Sequence, residues 1–165
     1  TLSSSSAASD VYKRQEFDAD NALSVPNGIP GFPAMQRVVL FAAAGSDAED
    51  EAQEHVGAEN VEALFWLQDL DDADLAFLCV VPWAIFPDYD IEIDERSLGI
   101  EQHSDVRILS LVTARRDGEE DSMTANLRAP LVVDVRKRRM QQVILSDSRW
   151  PIRAPFGALR HAGVS

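Results

Sequence analysis

The stretch that decides the fold is residues 63–81, ALFWLQDLDDADLAFLCVV, in which two apolar runs flank a short acidic segment. The runs cover residues 63–70 and 75–81, and residues 71–74, DDAD, join them. Short carboxylate side chains can accept hydrogen bonds from the neighbouring backbone and so favour a tight turn. The stretch therefore predicts a β-hairpin near the middle of the chain.

Outward from this hairpin, short segments of alternating polarity are separated by turn residues, a pattern typical of further strands. The clearest is residues 88–94, where Tyr89, Ile91 and Ile93 alternate with acidic residues, so that one face would be core and the other water. Further strands are expected at residues 36–42, 106–114, 123–128, 131–135 and 142–146. About eight short strands predict a mostly β fold, either an antiparallel pseudobarrel or a two-sheet sandwich.

Other stretches depart from the β pattern. Residues 43–61 are rich in Ala, Glu and Asp, and Ser46 followed by Glu49 forms a capping box, so a short helix or loop insertion is expected near residues 46–60. Asp94 as an N-cap and Gly99 as a left-handed stop predict one helical turn. The domain is expected to span residues 15–156, with a disordered segment at 1–14 that has the composition of a fusion scar and a flexible tail at 157–165.

Charge is the strongest compositional signal. The 165 residues include 28 acidic and 15 basic side chains, for a net charge of −13. Residues 26–105 carry 18 acidic side chains against Arg37 and Arg96, a net charge of −16. Such a field attracts basic proteins and repels phosphate backbones, and salt screens it over about 10 Å. The alternative is that the acidic composition serves solubility alone.

The sequence offers little of the chemistry that an enzyme needs. Cys79 is the only cysteine, so no internal disulfide or Cys/His metal cluster can form, and the glycines make no phosphate-binding loop or nucleophile elbow. A calcium loop starting at Asp69 would place Asp74 where glycine is required, which favours a simple turn over a metal-dependent hydrolase. The longest apolar stretch, residues 75–87, is shorter than the ~20 residues of a membrane span. We therefore predict no enzymatic activity, no cofactor, no metal and no membrane partner.

One basic cluster runs from Arg136 to Arg139 and has two interpretations. It is typical of a nucleic-acid patch, in which case the chain would be a small RNA-binding module. It is also typical of a solvated hairpin turn between Val135 and Val143. Single-strand binders interleave aromatic residues with such charge, and none lies close to this cluster before Trp150.

A candidate partner-binding surface lies where an apolar run meets the acidic segment. Aromatic residues beside a polar rim are the usual anchors of a protein interface, although they are also ordinary core residues. Two polar residues in the apolar segment 123–130 would also need partners, although an asparagine there could simply close a turn. The candidates for partner binding are Phe86, Asp88, Tyr89, Asp90, Glu92, Thr124 and Asn126.

Six segments together resemble the flagellar assembly factor FliW family, in the family's order and close to its spacing. The likeness covers roughly residues 17–156, and residues 1–15 and the long acidic stretch 43–61 depart from it. The segments are GIPGF at 28–32, FWLQ at 65–68, DDADLAF at 71–77, FPDY at 86–89, MTANLRAP at 123–130 and QVIL at 142–145.

The resemblance implies a mostly β pseudobarrel in a cytoplasmic bacterial protein without enzymatic activity. It implies two partners, the RNA-binding regulator CsrA and flagellin. A FliW protein relieves CsrA's repression of flagellin translation, and newly made flagellin competes for FliW. We expect the free protein to be a monomer with no direct contact to nucleic acid.

Overall fold

The computed structural model describes residues 22–43, 64–115 and 122–158. Three predictions about the organisation of the chain concern residues wholly or largely outside these ranges, and they remain predictions. They concern the disordered segment at 1–14, the insertion at 43–61 with its helix or loop near 46–60, and the tail beyond Ala158.

The described residues form strands and turns with very little helix. Two short 3₁₀ turns lie at Pro82–Ala84 and His103–Asp105. The strands are β1 (Ala22–Ser24), β2 (Arg37–Ala42), β3 (Leu64–Asp69), β4 (Ala76–Val80), β5 (Val106–Arg115), β6 (Ser122–Ala125), β7 (Leu131–Asp134), β8 (Arg139–Gln142) and β9 (Ala154–Ala158).

The sheet closes on itself. Strands pair in the order β4-β3-β2-β1-β8-β7-β5-β6-β9, and an additional pairing of β4 with β5 completes a ring from β4 to β5. All pairings are antiparallel except that of β1 with β8, which rests on Ser24 opposite Arg139. The predicted mostly β fold is confirmed, and the pseudobarrel is the form that it takes.

The predicted central hairpin is confirmed in both strands and turn. Strand β3 pairs with β4 from Leu64 opposite Val80 to Gln68 opposite Ala76. The Asp69 carboxylate accepts the backbone N–H of Asp71 at 3.0 Å, and the Asp72 carboxylate accepts that of Asp74 at 3.0 Å. These are the side-chain to backbone bonds that the acidic turn predicts.

The core consists of two apolar clusters on opposite faces of the sheet. Strand β7 contributes Leu131 and Val133 to one cluster and Val132 to the other, so it is buried on both faces. Trp83, Tyr89 and other residues of the chain between β4 and β5 join the cluster that contains Val132. That connection therefore covers one face of the sheet, and the pseudobarrel interior lies on the other.

The strand predicted at residues 88–94 is wrong. The alternating burial is present, with Tyr89 and Ile91 buried and Asp88 and Glu92 exposed, but the segment forms no ladder with a strand. Part of its backbone bonding goes to tryptophan side chains instead: the Trp83 and Trp150 indoles donate to its carbonyls. Alternation of buried and exposed residues indicates an extended chain that lies on a core. It does not by itself require a neighbouring strand.

Some boundaries also differ from the predictions. The strand expected at 142–146 lies earlier, at Arg139–Gln142, because the basic residues take part in the hairpin with β7. The strand expected at 123–128 ends at Ala125. Strands β1 and β9 were not predicted, and β9 runs through Ala158, two residues into the expected tail.

The predicted helical turn at residues 94–99 is confirmed. The Asp94 carboxylate accepts the backbone N–H of Ser97 at 3.1 Å, and the Leu98 N–H donates to the Asp94 carbonyl at 3.2 Å. Gly99 has a φ of 72°, the left-handed conformation that ends a turn without a steric penalty only for glycine.

The loop between β1 and β2 contains two glycines with positive φ, 64° at Gly28 and 90° at Gly31. A Cβ at Gly28 would lie 2.7 Å from the Phe32 carbonyl oxygen and from two Pro33 backbone atoms, whereas one at Gly31 would meet nothing within 4 Å. Both glycines therefore adopt a backbone conformation that other residues rarely adopt. Only at Gly28 would a side chain also collide with neighbouring backbone atoms.

We predict that Gly28→Ala lowers the free energy of unfolding by about 3 kcal/mol, and that the matched control Gly31→Ala lowers it by about 1 kcal/mol. Both variants place a side chain in left-handed backbone, but only the first also displaces neighbouring backbone. Urea unfolding followed by tryptophan fluorescence measures both values. Equal losses in the two variants would show that the close approach at Gly28 is unimportant.

Candidate partner-binding site

Three hydrogen bonds from aromatic side chains hold the chain from Pro82 to Glu92 in place, one within the segment and two to residues elsewhere in the fold. The Trp83 indole N–H donates to the Tyr89 carbonyl at 2.6 Å, and the Trp150 indole N–H donates to the Asp90 carbonyl at 2.9 Å. The Tyr89 hydroxyl donates to the Leu127 carbonyl at 2.7 Å. The segment is thus closed on itself through Trp83 and tied to the loops around Leu127 and Trp150 at Tyr89 and Asp90.

Tyr89 is part of the core and not an exposed anchor. Its side chain is 2% exposed, and its ring centroid lies 4.9 Å from that of Trp150 and 5.5 Å from that of Trp83. Burial raises the pKa of its hydroxyl above the ordinary value. Tyr89 is therefore an ordinary core residue and not an interface anchor. It supports the surface from beneath and cannot touch a partner in this conformation.

Phe86 is half-buried and packs edge-on against Phe156, with ring centroids 6.1 Å apart. Phe156 belongs to β9, so this contact joins the segment to the last strand of the sheet. Phe86 retains some exposed surface and stays a candidate contact residue.

The three acidic candidates alternate with buried residues along the segment. Asp88 and Glu92 are exposed and Asp90 is half-buried, whereas Tyr89 and Ile91 between them are buried. Because successive side chains of an extended chain point to opposite sides, anchoring the apolar residues directs the carboxylates outward. These carboxylates are the part of the predicted surface that a partner could reach.

The two polar candidates near residue 125 lie in β6 and in the turn that follows it. Thr124 is half-buried in β6, where it pairs with Thr113 of β5 and Pro155 of β9. The Asn126 side-chain carbonyl accepts the Ala129 N–H at 3.0 Å, so the turn-closing alternative describes this interaction. The loop that follows β6 lies beside Tyr89, because the Tyr89 hydroxyl donates a hydrogen bond to the Leu127 carbonyl.

A second segment completes the surface and was missed in the sequence analysis. A cleft of about 110 Å³ lies between the extended segment and the loop that follows β8. Its lining residues are Asp90, Ile91, Glu92, Leu145, Ser146, Asp147 and Arg149. Nothing in the sequence relates two stretches more than fifty positions apart, so only the fold shows this pairing.

Arg149 lies in this cleft as an internal cation. Its guanidinium donates to the Asp147 carboxylate at 2.7 and 2.8 Å, and it lies 5.3 Å from the Trp150 ring centroid. The hydrogen bond from Arg149 lowers the pKa of Asp147. The hydrogen bond with Asp147 raises the pKa of Arg149, and the charge of Asp90 adds to this effect.

The basic cluster forms a hairpin turn between β7 and β8. The Asp134 carboxylate accepts the backbone N–H groups of Arg136 and Lys137, both at 3.1 Å, and Arg138 has a positive φ of 53°. Arg136 and Lys137 also lie 3.4 and 3.6 Å from Glu101. The hairpin-turn interpretation is confirmed, and acidic neighbours offset part of the charge on which the RNA-binding alternative depends.

The part of the chain that the structure describes shows no grouping of acidic, histidine and cysteine side chains fit to hold a metal ion. Cys79 is fully buried, and burial raises the pKa of its thiol, which disfavours the reactive thiolate. No helix in the described ranges has the length and apolar character to cross a membrane.

Comparison with known proteins identifies the family. The family profile described as FliW protein matches residues 7–156. The flagellar assembly factor FliW of Caldicellulosiruptor saccharolyticus is 27% identical over 146 residues, which cover 87% of this chain and 84% of that protein. The FliW of Treponema pallidum is 32% identical over 139 residues, 82% of this chain and 81% of that protein.

A solved structure agrees with the sequence comparison. A crystal structure of the flagellar assembly factor FliW matches with a TM-score of 0.64 and 26% sequence identity, and the match covers 90% of this chain and 92% of that one. The profile spans most of the chain and the pseudobarrel has the fold of that structure. The chain therefore belongs to the FliW family of flagellar assembly factors.

Proposed function

We propose that this protein is a non-enzymatic regulator that binds CsrA, relieves its repression of flagellin translation, and is in turn bound by flagellin as a competing partner. Membership of the FliW family supports the flagellar role. The observation that carries the CsrA proposal is the row of carboxylates on the anchored segment 88–92, where buried Tyr89 and Ile91 leave Asp88 and Glu92 facing solvent.

The charge distribution suits a basic partner. Residues 64–105 hold 11 acidic side chains and a single basic one, Arg96. This acidic excess would accelerate encounter with an RNA-binding protein, whose surface must be basic to hold phosphates. Once docked, the same charge would disfavour RNA nearby.

Antagonism then follows from thermodynamic linkage. If FliW binding and RNA binding to CsrA oppose each other through a coupling free energy, typically about 1–3 kcal/mol, each ligand weakens the other by the same factor. Flagellin would end the antagonism by sequestering the protein. The proposal needs no bond-making step, and Cys79, the one thiol, is buried away from the surface.

We predict that the purified chain binds both CsrA and flagellin with dissociation constants of about 1 μM or tighter at 150 mM salt. Isothermal titration calorimetry measures each affinity, and adding flagellin to the preformed complex should release CsrA. The free protein should elute as a monomer.

Absence of binding to both proteins would contradict the proposal. Retention of flagellin leader RNA by the chain alone in a low-salt filter assay, lost steeply as salt is raised, would instead support the basic turn from Arg136 to Arg139 as the functional surface.

We also predict that Asp88→Lys, Asp90→Lys and Glu92→Lys combined slow association with CsrA by about tenfold at low salt, because steering charge at the docking surface governs the encounter rate. Stopped-flow mixing at several salt concentrations measures this rate, and circular dichroism checks that the fold is retained.

The matched comparison is Glu92→Lys against Asp74→Lys, since both residues are exposed and each exchange changes the net charge equally. Slower association in the first alone locates the docking surface at segment 88–92. Equal slowing in both variants would mean that only the overall charge matters and that this surface is not the docking surface.

A further inference from the structure

The cleft between segment 90–92 and the loop 145–149 has the features of a receptor for one cationic side chain. Two apolar residues, Ile91 and Leu145, line it and are 2% and 7% exposed. Three acidic residues, Asp90, Glu92 and Asp147, also line it. A lining that combines apolar and acidic side chains suits lysine and arginine, whose methylene stems pack on apolar surface while the charged ends seek oxygen acceptors.

The size of the cleft also fits the end of a lysine or arginine side chain. Its volume of about 110 Å³ exceeds several times the roughly 30 Å³ that one water occupies in the liquid. It is far smaller than the about 300 Å³ at which pockets for drug-sized ligands begin. One side-chain terminus of a partner matches this space, and a whole small molecule does not.

Arg149 shows that a guanidinium can be accommodated here. It is exposed and bonded to Asp147, whose hydrogen bond raises the pKa of Arg149, and the charge of Asp90 adds to this effect. The cleft has a further acidic side chain besides the pair of Asp147 with Arg149, because the exposed Glu92 also lines it. An internal cation held at a solvent-exposed site is exchangeable, since exposed ion pairs contribute little free energy.

We propose that this cleft receives a lysine or arginine side chain of the basic partner, and that Arg149 is an internal counter-ion which the incoming side chain displaces. The inference rests on the proposed function and adds to it a named pocket, two residues from a second segment and a competition within the site. Charge complementarity selects the occupant, because the acidic residues that line the cleft would repel an acidic or phosphorylated group.

The proposal separates two kinetic effects. Charges around an interface chiefly change the association rate, whereas contacts made inside a pocket chiefly change the dissociation rate. Glu92 should therefore affect the lifetime of the complex, and Asp74 on the distant hairpin turn should not. Removing Arg149 should lengthen that lifetime, because the guest no longer competes with an internal cation.

The experiment measures both rates by surface plasmon resonance, with immobilised CsrA and four variants of the 165-residue chain at 150 mM salt. Glu92→Gln is expected to dissociate about five times faster than the unmodified protein, and its control Asp74→Asn at an unchanged rate. Arg149→Gln is expected to dissociate about three times more slowly. Its control Arg153→Gln removes the same charge from a neighbouring exposed position outside the cleft and should leave dissociation unchanged.

The outcomes distinguish the two levels of the proposal. Normal binding of the unmodified chain with unchanged dissociation in both Glu92→Gln and Arg149→Gln overturns the cleft and leaves the CsrA proposal standing. Equal effects of Arg149→Gln and Arg153→Gln likewise overturn it, because they would reflect overall charge. No binding by the unmodified chain overturns the proposed function and, with it, the occupant assigned to the cleft.

Discussion

Pairing along both edges of β5 is the constraint on which the rest of the structure depends. Val112 lies opposite Leu78 of β4 and also opposite Ala125 of β6, while the first part of β5 pairs with β7. This arrangement closes the ring, whereas β9, which among the described strands pairs only with β6, lies at an edge of the sheet. Ser110 also lies in β5, and its buried hydroxyl finds no hydrogen-bond partner in the described part of the chain.

Closure of the ring also creates an outer face that the connection between β4 and β5 must cover. That connection is too irregular to add a strand, so aromatic side chains bond parts of its backbone and fill the space beneath it. The Trp83 and Trp150 indoles bond its backbone. The Tyr89 ring packs against both indoles, and its hydroxyl ties the connection to the Leu127 carbonyl. The exposed carboxylates beside it are positioned by these buried contacts.

Local chemistry explains which predictions succeeded. The hairpin of β3 and β4, its acidic turn and the turn ended by Gly99 depend on bonds between residues close in sequence, so the residues themselves specify them. The strand expected at 88–94 failed because alternation is the same whether a strand or a pair of indoles bonds to the backbone. Thr124 and Asn126 were chosen because polar side chains in an apolar segment need partners. The Asn126 side chain closes a turn, and the Thr124 backbone pairs within the sheet.

By itself, the sequence determined a mostly β chain, its central hairpin, its acidic middle and its likeness to a family, because polarity, turn residues and charge are properties of neighbouring residues. The tertiary structure alone decided that Tyr89 is a support, that the basic cluster folds against Glu101, and that Glu92 shares a cleft with Arg149. Those relations join residues far apart in the chain, and their distances are set by how the closed sheet brings its connections together.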